Sequence, residues 1–180
     1  MEDDSTDSYI SRVRAIFLEL GIPADLPDAR GLQLWREPER LVDVMSPGAA
    51  KPFQLGPEAA AAWTILQTAA TDDGVELRLL SGFRGLDFQA QLIRRQLAQS
   101  RTLEVVLKIL APPGYSEHHS GCAVDVGTPG CPGLDEDFEN TAAFAWLSKH
   151  AGRFGFTLSF PRGNRYGYIY EPWHWCYRMP

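Results

Sequence analysis

Apolar residues recur at helical spacing over residues 8–20, where Ile10, Val13, Phe17 and Leu20 share one face and Gly21 follows as a stop. Residues 22–56 are rich in proline and glycine, with a short strand expected at Leu41–Met45. Pro57 opens a second helix over 57–71, with an alanine-rich face after it. Val75, Leu77 and Leu79 alternate with Glu76 and Arg78, the period of a half-buried strand ending at Ser81. Helices are expected at Asp87–Ser100 and Thr102–Leu110, before Pro112, Pro113 and Gly114 break the chain. Ala123–Val126 reads as a strand, 127–133 as a turn and 137–150 as a helix. Phe156–Phe160, Tyr166–Tyr170 and Trp173–Tyr177 read as aromatic-rich strands. Helices early and strands late predict an α+β fold, a small and mostly antiparallel sheet covered by helices. The expected division is an N-terminal helix and extension over 1–56, packing on a main domain over 57–180.

With 180 residues, 44% of them apolar, the chain is long enough for one domain with a real core. Its net charge of −6 gives no electrostatic footprint for nucleic acid. No apolar run reaches the length of a membrane span. Met1–Asp7 is acidic and polar, without the basic start and apolar stretch of a cleavable signal. The expectation is a cytoplasmic protein, or one exported by another route, and a monomer. Three cysteines, Cys122, Cys131 and Cys176, are too few for a disulfide scaffold and read as reduced thiols, with a Cys122–Cys131 pair as the alternative.

Three of the four histidines fall in two dense polar stretches, Ser116-Glu-His-His-Ser-Gly-Cys-Ala-Val-Asp125 and Glu171-Pro-Trp-His174. Two imidazoles and one carboxylate supply three zinc ligands and leave the fourth position to water. Asp125 is the informative oddity, because a carboxylate among Ala and Val is costly unless paired or bound to a metal. His119 is the rival to His118: neighbours on an extended segment point to opposite sides, so only one of them faces a given ion. Glu171, three residues before His174, is placed to act as a base toward a bound water. Arg84 follows a strand, where a guanidinium stabilises an oxyanion or holds a substrate carboxylate. Trp173 and its aromatic neighbours offer a cleft lining. Each residue taken singly has an ordinary alternative, as a strand-end cap, a solvated loop acid or a surface arginine.

The combined pattern is more specific. Ser116-x-His118-x-x-Gly121-x-Ala123-x-Asp125, followed late by Glu171-x-x-His174, resembles the VanY-type zinc D-alanyl-D-alanine carboxypeptidases, which share a metallopeptidase fold group with lysostaphin-like enzymes and the Hedgehog signalling domain. Ser81-Gly-Phe-Arg84 with Gln89 extends the resemblance, which covers about residues 57–178. It implies one zinc ion held by His118, Asp125 and His174, with Glu171 as catalytic base and Arg84 stabilising the transition state. Ser116 and Gln89 match positions near the substrate. The implied substrate is a peptidoglycan stem peptide, or another peptide ending in D-alanine. The alternatives within the fold group are an L-alanyl-D-glutamate endopeptidase, a dipeptidase acting on free D-Ala-D-Ala, and a zinc-containing binding module without activity.

Overall fold

The computed structural model describes residues 2–131 and 133–178. The first helix, α1, spans Glu2–Leu20, beginning earlier than the apolar pattern alone required. Val13, Ile16, Phe17 and Leu20 bury their side chains against Leu86, Ala90 and Ile93 and against Val106 and Leu107. Those partners lie on and after two further helices, α4 (Leu86–Ala98) and α5 (Leu103–Val106). Together they form a helical cluster on one side of the molecule. A short helix, α2 (Leu26–Arg30), was not legible in the proline-rich stretch. Leu26 and Pro27 open it, and Gly31, at φ +62°, closes it.

The second cluster is built on a sheet. Strands β3 (Arg78–Ser81), β4 (Ala123–Gly127), β5 (Phe156–Leu158) and β6 (His174–Tyr177) are ordered β3-β4-β6-β5, every pair antiparallel. Helices α3 (Pro57–Asp72) and α6 (Ala142–His150) cover it. Trp63 and Leu66 from α3 and Leu147 from α6 join Val124, Val126, Phe156 and Trp175 in one buried core. Each fully buried aliphatic or aromatic side chain there contributes about 1.5–3 kcal/mol. A separate hairpin of β1 (Val42–Val44) and β2 (Phe53–Leu55) adds Val44 and Leu55 to this core, so the second half of residues 1–56 packs with the sheet and the first half with the helical cluster.

Several expected elements take different shapes. The 137–150 helix is broken at Thr141 into a 3-10 turn (Glu136–Asn140) and α6. The Thr141 hydroxyl accepts from the Phe144 N–H, the bond of a helix N-cap. The helix expected over 102–110 stops at Val106. The strand expected at Tyr166–Tyr170 is absent. There the Asn164 side chain accepts from the Tyr166 and Tyr168 N–H groups at 3.2 and 3.3 Å and donates to the Tyr168 carbonyl at 2.9 Å, replacing a strand partner with a side chain. The turn expected over 127–133 contains residue 132, which lies outside the described residues; Thr128 and Cys131 bridge across its first part. No described helix is long and apolar enough to cross a membrane. All three cysteines are free thiols.

Candidate metal centre and catalytic cleft

The sheet places the two central ligand candidates. Asp125 is the middle residue of β4 and pairs directly with His174, the first residue of β6. Paired residues on antiparallel strands project to the same face, so their side chains meet. The His174 Nδ1 stands 3.1 Å from the Asp125 Oδ1. His118 arrives from a 3-10 turn, Glu117–Ser120, that ends on Gly121 in the left-handed region at φ +69°. A Cβ at Gly121 would lie 2.8 Å from the Gly56 nitrogen, and only glycine allows the Gly56 N–H to donate to the Gly121 carbonyl at 2.9 Å. The loop of residues 82–84 is laced to the same turn. The Gly82 carbonyl accepts from the His118 Nδ1 at 2.6 Å, the Arg84 N–H donates to the His118 carbonyl at 3.2 Å, and the Arg84 carbonyl accepts from the His119 Nδ1 at 2.5 Å.

These bonds fix both tautomers. A carbonyl only accepts, so the proton of neutral His118 sits on Nδ1 and its Nε2 presents a lone pair. That Nε2 is buried, has no hydrogen-bond partner, and faces the Asp125 Oδ2 at 3.3 Å. His174 repeats the pattern with its nitrogens exchanged. Its Nε2 donates to the Glu117 Oε2 at 3.0 Å, and its Nδ1 faces Asp125, donating a proton when the ring is charged and offering a lone pair when an ion takes that proton's place. With both rings neutral the two lone pairs would repel the buried carboxylate, so the site calls for a cation between them, met by a proton on His174 when no ion is bound. The ligand atoms of His118, Asp125 and His174 lie within 4.8 Å of one another. Neighbouring ligands about 2.1 Å from a tetrahedral ion stand roughly 3.4 Å apart, so this donor set fits a zinc-sized cation.

Titration reflects the same crowding. Burial, helped by the Arg84 charge, pushes His118 down to about 4 and keeps it neutral. Burial also acts to lower His174, but hydrogen bonds to Asp125 and Glu117 outweigh it and hold it up at about 10, the mark of a position that wants positive charge. Asp125 is held well below the usual carboxylate range by both histidines, against its burial. Glu171 goes the other way. Burial, reinforced by Asp125 and Glu117, raises it to about 7 against the opposing pull of His174 and Arg84.

Glu171 and His174 are held together by a turn in which the His174 N–H donates to the Glu171 carbonyl at 3.1 Å. The Glu171 Oε2 stands 3.8 Å from the His174 Nδ1, beside the candidate ion position without adding a fourth close ligand. The Arg84 Nη2 lies 3.8 Å from the Asp125 Oδ2, and its Nε is buried without a partner. Arg84, Gln89 and Ser116 line a narrow cleft over the centre, with about 30 Å³ of free space and with Phe160 and Tyr168 on its other wall. Gln89 is pinned by donating to the Ala111 carbonyl at 2.8 Å.

Trp173 departs from expectation. It is buried in the main core rather than in the cleft, because its carbonyl accepts from the Val126 N–H and draws it under the sheet. His119 is buried too, but both nitrogens are spent: Nδ1 on the Arg84 carbonyl, and Nε2 accepting from the Gly114 N–H at 3.0 Å. Burial raises the Cys176 thiol and keeps it protonated, so it is a poor ligand. Sequence reasoning missed Glu117, whose carboxylate also accepts from the Ser159 hydroxyl at 2.5 Å and pairs with Arg178. A metal-binding histidine needs a partner for its other nitrogen, but Glu117 adjoins His118 in sequence and serves His174, a pairing that only the fold reveals.

Comparison with known proteins agrees with this geometry. The family model described as VanY, D-alanyl-D-alanine carboxypeptidase, matches residues 52–180. The putative carboxypeptidase YodJ of Bacillus subtilis (strain 168) is 33% identical over 126 residues, which are 67% of this chain and 45% of that protein. The chain therefore spans about half the length of that relative. The bifunctional D-Ala-D-Ala dipeptidase and D-Ala-D-Ala carboxypeptidase VanXYC of Enterococcus gallinarum is 32% identical over 149 residues, 79% of this chain and 75% of that protein. Among solved structures, the LdcB LD-carboxypeptidase superposes with a TM-score of 0.71 at 32% identity, covering 78% of this chain and 69% of that one.

Proposed function

The chain belongs to the VanY family of D-alanyl-D-alanine carboxypeptidases, and from that premise we propose that it is a zinc-dependent carboxypeptidase releasing D-alanine from the C-terminus of peptidoglycan stem peptides. The observation that carries this reading is the convergence of two buried imidazole nitrogens, His118 Nε2 and His174 Nδ1, on the Asp125 carboxylate. In that position zinc would supply Lewis-acid polarisation of a water and of the scissile carbonyl. The remaining chemistry belongs to the chain. Glu171, raised to about 7, accepts a proton from the attacking water and returns it to the departing amine. Arg84 sits where a guanidinium meets either the negative charge developing on the carbonyl oxygen or the terminal carboxylate of the substrate. Ser116 and Gln89 border the space beside the centre, where the departing residue would sit.

The VanY match favours removal of a terminal residue over cleavage within a chain. The LdcB likeness supports a second reading, in which the bond cut is an L,D rather than a D,D linkage. The VanXYC relative supports a third, in which free D-Ala-D-Ala is also a substrate. One experiment separates them. The zinc-loaded protein is incubated with a pentapeptide ending in D-Ala-D-Ala, a tetrapeptide ending in one D-alanine, and the free dipeptide, with products read by mass spectrometry. Release of D-alanine from the pentapeptide, abolished by a chelator, is the expected result. Inertness toward all three would overturn the assignment and leave a binding module.

A further inference from the structure

A second cavity of about 110 Å³ adjoins the cleft and shares Glu117, Phe160 and Tyr168 with it. Its outer wall is Gly31–Gln33 and Trp35, a segment upstream of the 52–180 stretch that the family model matches. That wall is built in place. The Trp35 N–H donates to the Gly114 carbonyl at 2.8 Å, the Trp35 carbonyl accepts from the Tyr9 hydroxyl at 2.8 Å, and the Arg178 guanidinium lies 5.5 Å from the Trp35 ring centre. One of its features points to a ligand. Arg165, on the rim, lies against the Tyr166 ring and has no carboxylate within 4 Å among the described residues, whereas the neighbouring Arg178 is neutralised by Glu117.

Direction follows from the arginine. Arg84, in the inner cleft, is placed to hold a terminal carboxylate, so the rest of a bound peptide leaves through the larger adjoining cavity. We propose that this cavity is a subsite for the acyl side of the substrate. It selects a residue bearing a free carboxylate, with Arg165 as the cation. The subsite rests on the carboxypeptidase reading above. It adds that the extension around residues 31–35 sets which peptides are taken.

The test compares two N-acetylated peptides ending in D-Ala-D-Ala, with glutamate or glutamine immediately upstream. The parent protein should favour the glutamate peptide at least tenfold in kcat/KM, mainly through KM. Arg165→Gln should bring the two within twofold of each other. A parent ratio near one, or a ratio that survives Arg165→Gln, would overturn the subsite while leaving the carboxypeptidase reading intact. If neither peptide is cleaved, the activity assignment fails instead, and the subsite is decided by titrating both peptides against Trp35 fluorescence. Tighter binding of the glutamate peptide, lost in Arg165→Gln, supports it, and equal binding refutes it.

Discussion

The Glu117 carboxylate accepts the Nε2 proton of His174 at 3.0 Å and so turns the opposite nitrogen toward Asp125. The acid is itself held in place by Ser159 and Arg178, and although burial opposes it, those contacts and His174 keep it at about 2. Glu117 is therefore ionised at any working pH and fixes the orientation of a candidate ligand it never replaces. Glu117→Gln should weaken zinc binding by about 10–100-fold. Competition with a fluorescent chelator measures this, and unchanged affinity would remove Glu117 from the centre.

Glu171→Ala should retain one zinc per chain and lose turnover by several powers of ten, because the acid stands beside the ion position rather than in the ligand set. Metal content by atomic absorption and D-alanine release, read on the same preparation, check both halves. Turnover near that of the parent would show that the proton is handled elsewhere.

The raised pKa of Glu171 makes a separate statement about stability without metal. In the folded chain the carboxyl keeps its proton up to about 7, whereas in the unfolded chain it loses it near 4.5. Folding therefore takes up a proton between those values, and stability falls as pH rises through the window. Glu171→Gln removes the penalty. In the presence of a chelator it should gain roughly 3 kcal/mol at pH 8, at 1.36 kcal/mol per unit, and nothing at pH 4. Urea midpoints at the two pH values test the sign.

His118 and His119 should separate cleanly. His119→Ala leaves the Arg84 carbonyl and the Gly114 N–H buried without partners, and should cost about 2–4 kcal/mol of stability with zinc stoichiometry intact. His118→Ala should abolish stoichiometric zinc. Loss of metal in both variants, with neither destabilised, would place both imidazoles on the ion.

At Gly82, an added Cβ would sit 2.5 Å from the Gln54 carbonyl oxygen, a backbone atom with nowhere to retreat. Gly82→Ala should cost about 1–3 kcal/mol. It should also weaken zinc binding, because the Gly82 carbonyl is what holds the His118 Nδ1 proton. Thermal melts with and without zinc separate the two effects.

The residues that meet at the centre were legible because the chemistry constrains type and spacing together: few side chains bind zinc, and a strand alternation brings Asp125 to one face. What escaped reading was of two kinds. Glu117 is an acid beside a ligand, and sequence alone does not tell a solvated acid from one folded back onto His174. The run Tyr166-Gly-Tyr-Ile-Tyr170 alternates like a strand, but Asn164 satisfies its backbone locally. The break at Thr141 was readable as a cap and was overridden by the apolar pattern on either side. Trp173 beside His174 shows the limit of alternation, since the chain turns there and the aromatic ring goes inward.

The pairing of Asp125 with His174 joins residues 49 apart in sequence, across the middle of the sheet. Closing a loop of that length costs a flexible chain roughly 3–4 kcal/mol of entropy. An ion shared by His118, Asp125 and His174 would meet part of that cost from outside the polypeptide. It would act as a cross-link in a chain whose thiols form none. Metal supply would then set how long the central β4–β6 pairing stays open during refolding, and with it the window for aggregation. In that respect the centre behaves as a latch on the fold, and a chelator should slow folding as well as stop turnover.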